Sequence, residues 1–236
     1  MDSATVSTGA ETRISSLRQG LQRMQALLGA ENAATATTGT VTAQGHTALE
    51  GLLAQKTAIA PRTVKPYEEI APGVTMGYND KDNGCWVVAD FAPAVPAAPG
   101  TARQGARLGL HPVFAAEKAT RRVTLETTLA KGAFTPGAQI KVDILSHFEF
   151  IDPRQALHIN SLKMALRCTF EDQPHEDAQL GFFPITTVPS MHTVASRVEK
   201  FTAEKLAAST AVKLVIWLPI QGNYRFNLYH FASEIV

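Results

Sequence analysis

The chain lacks the sequence signatures that identify the common enzyme classes. Its 236 residues contain no P-loop, no GxGxxG turn, no GxSxG nucleophile elbow, no HExxH helix and no CxxC pair. These absences argue against several nucleotide-binding, hydrolytic and zinc-dependent functions. Catalytic triads and carboxylate pairs are set by three-dimensional geometry, so an enzyme without a motif stays open. The sequence predicts no cofactor, no metal site and no catalytic residue.

Long apolar runs and an excess of one charge are missing as well. No segment approaches the roughly 20 apolar residues of a membrane span, and the N-terminus lacks the basic start and apolar core of a signal peptide. With 22 Lys and Arg against 21 Asp and Glu, the net charge is +1. Nothing in this balance favours nucleic acid or a membrane as partner. The default expectation is a cytoplasmic protein, with non-classical export or a virion location left open.

Cysteine is scarce, with only Cys85 and Cys168. Cys168 falls on the apolar face of a predicted strand, where a free thiol packs as a small hydrophobic side chain. Disulfides are rare in the cytoplasm. We therefore expect two free thiols.

Residues 1–29 have the pattern of an amphipathic helix. Apolar side chains recur at alternating spacings of three and four, which is an a/d heptad seam over about two heptads. The helix is either a short coiled coil that brings copies or partners together, or an amphipathic helix packed on its own domain. The seam residues are Ile14, Leu17, Leu21, Met24 and Leu28.

Residues 30–65 are predicted to be an Ala/Thr-rich linker that contains a short helix within 46–56. Residues 66–236 then alternate between apolar and polar positions, as strands with one buried face do. Asn83-Gly84 is a strong hairpin signal, and we expect it to join strands at 74–78 and 85–91. A Pro/Ala/Gly loop is predicted over 92–105. Strands separated by Pro and Gly turns indicate a mainly β, antiparallel sandwich.

The region from about residue 108 to Val236 resembles the jelly-roll β-sandwich of carbohydrate-binding-module-like and galactose-binding-like domains. The features that carry the resemblance are the strand at 122–129, the long middle strands, and the terminal pair at 212–218 and 224–232. The resemblance implies a jelly-roll fold. No binding residues are assigned from the resemblance, because one fold serves many functions.

The residues that alternate with the apolar positions supply the candidate ligand site. Aromatic rings stack on sugar rings, while amides and cations bond the hydroxyl groups. A rival interpretation is that Trp217 is covered by the N-terminal segment or by a partner subunit. The predicted ligand-binding residues are Arg167, Trp217, Arg225, Asn227 and Tyr229.

Three further clusters contain residue types that serve in acid/base catalysis or metal binding. Ordinary surface structure explains each of them better. His147 and Glu149 lie two residues apart on one strand face and could act as an acid/base pair. The predicted loop at 175–177, His-Glu-Asp, could bind a metal or act as an acid/base pair. Asp80 and Asp82 resemble a fragment of a calcium loop without its bidentate Glu, and we interpret them as a polar turn.

Three hypotheses of function follow. The leading one is a non-catalytic module that binds a glycan on the outer face of a β-sandwich, with the N-terminal helix providing oligomerisation and hence multivalency. The second is a structural or assembly protein, such as a phage virion component or a cell-envelope scaffold. The third is an enzyme on a sandwich scaffold.

Overall fold

Two antiparallel sheets of six strands each pack face to face in the computed structural model, which describes residues 47–79, 84–96, 104–115, 122–130, 132–152 and 159–235. The mainly β sandwich expected from the sequence is confirmed. The predicted helix at 1–29, the linker up to residue 46 and the turn residues Asp80 and Asp82 lie outside the described residues.

Sheet I holds both long strands of the domain near its centre. Its strands, in spatial order, are β1 (Ile59–Val64), β4 (Cys85–Ala92), β5 (Arg107–Phe114), β12 (Tyr224–Ile235), β7 (Gln139–Phe150) and β10 (Ser190–Arg197).

Sheet II forms the second layer. Its strands, in spatial order, are β2 (Glu69–Ala71), β3 (Val74–Tyr78), β6 (Val123–Thr128), β11 (Ala211–Leu218), β8 (Ser161–Thr169) and β9 (Glu176–Pro184).

Two short helices complete the described part of the chain, α1 (Ala48–Ala54) and α2 (Ala203–Ala208). The Thr47 hydroxyl caps α1 by accepting from the Glu50 backbone N–H at 3.3 Å. Glu50 in turn accepts from the backbone N–H and the hydroxyl of Ser233, both at 2.6 Å. These bonds tie α1 to β12, and α1 also packs against β6 and β3. No described helix has the length and apolar character needed to cross a membrane.

The core lies between the sheets because alternate residues of each strand face inward. Phe148 on β7 packs against two rings of β12, Tyr224 and Phe226, with centroids 5.2 and 5.1 Å away. Both cysteines are buried thiols that form no disulfide with each other, as expected from the sequence. Burial raises the pKa of the Cys168 thiol to about 11.

Consecutive strands often cross from one sheet to the other. The strands on either side of Asn83-Gly84, β3 and β4, pair with different partners in different sheets, so the predicted hairpin is wrong. The final two strands, β11 and β12, also lie in different sheets. β11 lies between β6 and β8 in sheet II, and β12 lies between β5 and β7 in sheet I.

Two strands occupy stretches in which the sequence analysis placed none. β1 lies inside the predicted linker at 30–65, and β5 follows the Pro-containing loop directly. β5 contains Gly109 and Pro112, which weaken a strand pattern. Both strands are held in sheet I by their pairing with β4.

Candidate functional site

Four neighbouring strands present one row of residues on the outer face of sheet I. Asp90 on β4 is the register partner of Gly109 on β5. Gly109 pairs with Asn227 on β12, which pairs in turn with His147 on β7. Each of these positions alternates with core residues on its own strand, so the row points away from the core. We refer to these four residues as the Asn227 row.

Arg225 crosses the row at Gly109, where the missing side chain leaves room for its guanidinium. A Cβ at position 109 would lie 2.6 Å from Arg225 Nη2 and 2.6 Å from Asp90 Oδ1. Arg225 Nη2 donates to Asp90 Oδ1, and Arg107 Nη2 donates to Asp90 Oδ2 at 2.7 Å. Two guanidinium groups thus compensate a carboxylate that is largely removed from water.

Three buried polar atoms around the row have no hydrogen-bond partner among the described residues. They are Asn227 Oδ1, Arg225 Nε and His147 Nδ1. Asn227 is only 1% exposed, and its Nδ2 lies 3.5 Å from His147 Nε2. Leaving a buried polar group unpaired costs about 1–3 kcal/mol, and folded proteins contain few such groups. The cluster is therefore suited to form hydrogen bonds, as donor and as acceptor, with groups outside the described residues.

The ring of His147, a member of the row, stacks on the ring of Tyr229, and both side chains are uncharged at neutral pH. Their ring centroids are 5.5 Å apart and their planes differ by 8°. Burial lowers the pKa of His147 below its ordinary value of 6.5, with Glu149 opposing the shift and Arg107 adding to it. Burial raises the pKa of Tyr229 above its ordinary value of 10.0. The pair offers neutral hydrogen-bonding groups together with an aromatic surface.

Trp86 lies on the same outer face and is 42% exposed. It precedes Asp90 by four residues on β4 and pairs in register with Val113 on β5. Trp86 is not among the ligand-binding residues predicted from the sequence. The signal was present, because the flanking residues Cys85 and Val87 are apolar and alternation then places Trp86 outside.

Trp217 lies on the outer face of the opposite sheet, with cations over its ring. Lys163 Nζ is 4.7 Å and Arg167 Cζ is 5.4 Å from the ring centroid. Contacts of this kind are favourable because the negative face of the ring quadrupole attracts a cation. Trp217 is half-buried, and part of its aromatic surface is already in contact with cations.

Arg167 is fully engaged by carboxylates. Its Nη1 donates to Glu126 Oε1 at 2.7 Å, while Nε and Nη2 donate to the two carboxylate oxygens of Asp177 at 2.7 and 3.0 Å. Lys213 donates to the other oxygen of Glu126 at 3.2 Å. Burial raises the pKa of Asp177, but the bonds from Arg167 outweigh it and hold that pKa below its ordinary 3.8. Arg167, itself 3% exposed, therefore stabilises this face, and its guanidinium contacts the ring of Trp217.

The structure divides the five predicted ligand-binding residues between the two outer faces. Arg225, Asn227 and Tyr229 come together on sheet I, whereas Arg167 and Trp217 lie on sheet II. The cause is the crossing of the chain between β11 and β12. The two groups face away from each other and do not form one site.

The residues considered for acid/base chemistry are divided in the same way. His147 and Glu149 lie on the outer face of sheet I, while the loop at 175–177 leads into β9 of sheet II. Both oxygens of Glu176 accept from Lys205 Nζ at 2.9 Å. Within the described ranges, no three His, Cys, Asp or Glu residues are grouped so that they could hold a metal ion.

Comparisons with known proteins found likenesses among solved structures alone. No family model and no curated protein matches the chain. The CBM22-1 xylan-binding domain from Paenibacillus barcinonensis Xyn10C is 11% identical, with a TM-score of 0.39, and the match covers 77% of this chain and 98% of that one. Several other matches are also carbohydrate-binding modules, the class of sandwich that the sequence resembles.

Two further matches have other functions. One is the enzymatically active domain of tailspike protein 4 from bacteriophage CBA120, at 9% identity and a TM-score of 0.41. The match covers 70% of this chain and 19% of that one, so it spans about a fifth of the length of the tailspike domain. The other is a cyclase from Fischerella sp. TAU, at 9% identity and a TM-score of 0.41, covering 74% of this chain and 98% of that one. Similarity of fold at this level does not distinguish a binding function from a catalytic one.

Proposed function

We propose that this chain is a non-catalytic glycan-binding module whose site is the Asn227 row on the outer face of sheet I. The observation that carries the proposal is the set of three buried polar atoms without partners on Asn227, Arg225 and His147. They converge on one face, on neighbouring strands, beside the ring of Tyr229.

The hydrogen-bonding character of these atoms favours hydroxyl groups. Asn227 Oδ1 only accepts and Arg225 Nε only donates, whereas a neutral His147 Nδ1 does either, depending on its tautomer. A hydroxyl group is both donor and acceptor, so a ligand dense in hydroxyls satisfies all three. A carboxylate would leave Asn227 Oδ1 without a donor, and an ammonium group would leave Arg225 Nε without an acceptor.

The aromatic residues of the face suit an extended ligand better than a single sugar. Tyr229 adjoins the row, and Trp86 lies four residues from Asp90 along β4. At about 3.4 Å per residue, that separation is about 14 Å. Trp86 therefore provides a second contact for a chain of sugars whose first contact is at Asn227.

The deciding experiment compares Asn227→Ala with wild type on a glycan array and then by calorimetry with the best neutral glycan. Removing the buried amide should weaken binding at least about tenfold, the equivalent of one good hydrogen bond. Asn160→Ala is the matched control, because that Asn is exposed and lies away from this face. If no glycan binds, or if both variants bind like wild type, the proposal is wrong.

The proposal extends to oligomerisation by the predicted helix at 1–29. Linking several weak sites raises the overall affinity for a repetitive polymer. Light scattering on the full chain and on a chain that begins at residue 45 measures this contribution. Equal monomeric masses for the two would remove the multivalent part of the proposal and leave the site unaffected.

A further inference from the structure

The outer face of sheet II carries a second row, at right angles to its strands. Phe182 on β9 pairs with Lys163 on β8, which pairs with Trp217 on β11. Trp217 pairs with Thr124 on β6, and Thr124 pairs with Gly77 on β3. Five neighbouring strands thus present one continuous row. We refer to these five residues as the Trp217 row.

The row ends at Gly77 beneath the ring of Tyr67. A Cβ at position 77 would lie 3.2 Å from Tyr67 Cε1, so glycine lets the ring approach the sheet. Tyr67 has φ +60° and is the one non-glycine residue with positive φ in the described part of the chain. An ion pair between Arg62 and Glu68, with Glu68 also accepting from the Lys65 backbone N–H at 2.8 Å, holds this turn. Strained backbone that is held in this way is concentrated at binding sites.

Three aromatic residues are therefore spaced along the row. Phe182 is 57% exposed, Tyr67 is 47% exposed, and half-buried Trp217 lies between them. Phe182 and Trp217 are two strands apart, as are Trp217 and Gly77. At about 4.8 Å per strand, each interval is about 10 Å. The aromatic residues form an interrupted platform for an extended ligand that lies across the strands.

Two cations of this face have no carboxylate partner among the described residues. Lys163 Nζ lies over Trp217, and the Arg122 guanidinium lies over the ring of Tyr67, 5.5 Å from its centroid. No carboxylate oxygen of the described residues is within 4.0 Å of either group. The other two cations, Arg167 and Lys213, are neutralised by Glu126 and Asp177. The face therefore has positive charge available for a ligand.

We propose that the Trp217 row binds a carboxylate-bearing glycan, such as a polyuronate. Sugar rings stack on Phe182, Trp217 and Tyr67, while the carboxylates pair with Lys163 and Arg122. Cations next to aromatic rings also suit single-stranded nucleic acid. Such binding uses a groove of many cations along the backbone, whereas the described residues of this face offer two cations without a carboxylate partner. The charge therefore favours the acidic glycan.

This site is separate from the proposed neutral-glycan site, because the two rows lie on opposite outer faces. The test uses sodium polygalacturonate and its methyl ester in affinity gel electrophoresis at low salt. The acid should retard the full chain strongly and the ester weakly. The double variant K163Q/R122Q should weaken the retardation by the acid at least about tenfold. Lys56→Gln, which removes an exposed charge elsewhere, should have no effect.

Two controls separate this result from misfolding and from the first proposal. The double variant breaks no ion pair of the described structure, but it removes two cation–π contacts and the hydrogen bond from Arg122 to the Tyr67 hydroxyl. Its midpoint in urea should therefore fall only slightly, with a single cooperative transition as in wild type. Asn227→Ala should bind polygalacturonate like wild type, whatever it does to neutral glycans. Equal retardation by acid and ester, retention of binding in the double variant, or no retardation at all would overturn the inference. Stronger binding of oligo(dT) than of polygalacturonate would assign the face to nucleic acid instead.

Discussion

The guanidinium of Arg225 lies over Gly109, on the adjacent strand of sheet I, in the space where any other residue has its Cβ. This relationship sets the geometry of the neutral-glycan site. It allows Arg225 to reach Asp90 across β5 and leaves Nε buried beside Asn227 without a partner. The site therefore requires a glycine at position 109.

Gly109→Ala should weaken neutral-glycan binding while the fold is retained. The new methyl group would lie 2.6 Å from Arg225 Nη2, so the guanidinium must move and its bond to Asp90 lengthens or breaks. We expect at least about a tenfold loss in affinity and a loss of about 1–3 kcal/mol in the free energy of unfolding. Calorimetry and urea denaturation measure the two.

Gly105→Ala is the matched control, because nothing lies within 4 Å of a Cβ at that exposed position. It should bind like wild type. If Gly109→Ala also keeps full affinity, the position of Arg225 does not matter for binding.

Trp86→Ala should distinguish long from short glycans. The side chain is 42% exposed, so its removal should change the free energy of unfolding by no more than about 0.5 kcal/mol. Because Trp86 is about 14 Å along β4 from the Asn227 row, affinity for a long oligosaccharide should fall several-fold and affinity for a disaccharide should not change. Calorimetry with a series of chain lengths tests this.

Phe182→Ala removes an aromatic residue of the opposite sheet that is more exposed than Trp86. It should leave neutral-glycan binding unchanged at every chain length. A Trp86→Ala protein with the same length dependence as wild type would place the glycan elsewhere on the face.

Arg167→Met should destabilise the fold strongly. Glu126 would keep Lys213 and Thr124 but lose its closest partner, and Asp177 would lose both bonds from the guanidinium. Breaking a buried pair on one side costs about 3–5 kcal/mol. Arg197→Met, whose pair with Glu199 is exposed, should cost at most about 1 kcal/mol. Urea denaturation compares them, and equal costs would show that the network around Glu126 is dispensable.

The sequence predicts which residues of a strand face outward more reliably than which strands lie side by side. Alternation identifies β8, β11 and β12 and the outward positions of Trp217 and Tyr229. The alternation does not indicate to which of the two sheets a strand belongs. The turns before β4 and before β12 look like local reversals, yet each carries the chain to the other sheet. Residues predicted to share one site therefore lie on opposite faces.

Buried charge is the second feature that escapes the sequence. Asp90 and Glu126 stand at outward positions of their strands, where a carboxylate ordinarily meets water. Both are buried because arginines from strands one or two positions away cover them, Arg107 and Arg225 over Asp90 and Arg167 over Glu126. Such pairings depend on register across three strands, so no local pattern reveals them.

Neutral-glycan binding should weaken in acid through His147. Burial lowers the pKa of this imidazole below its ordinary 6.5, so it is neutral at pH 7 and accepts or donates at Nδ1. Protonation makes Nδ1 a donor only and adds a positive charge close to Arg107 and Arg225. We expect constant affinity between pH 7 and pH 8 and a decline as the pH falls through the folded pKa, which lies below 6.5. Calorimetry across this range gives the profile.

A general loss of stability in acid must be separated from this effect. The imidazoles of His147, His175 and His192 all have lowered pKa values, with burial as the main cause. The unfolded chain therefore takes up protons more readily than the folded one, so stability falls as the pH drops below 6.5 and levels off below the folded pKa values. His147→Gln should flatten the affinity profile, whereas His175→Gln, at the other sheet, should change only the stability profile. If affinity still declines in acid in His147→Gln, the titrating group is not His147 and the hydrogen-bonding role given to its Nδ1 is wrong.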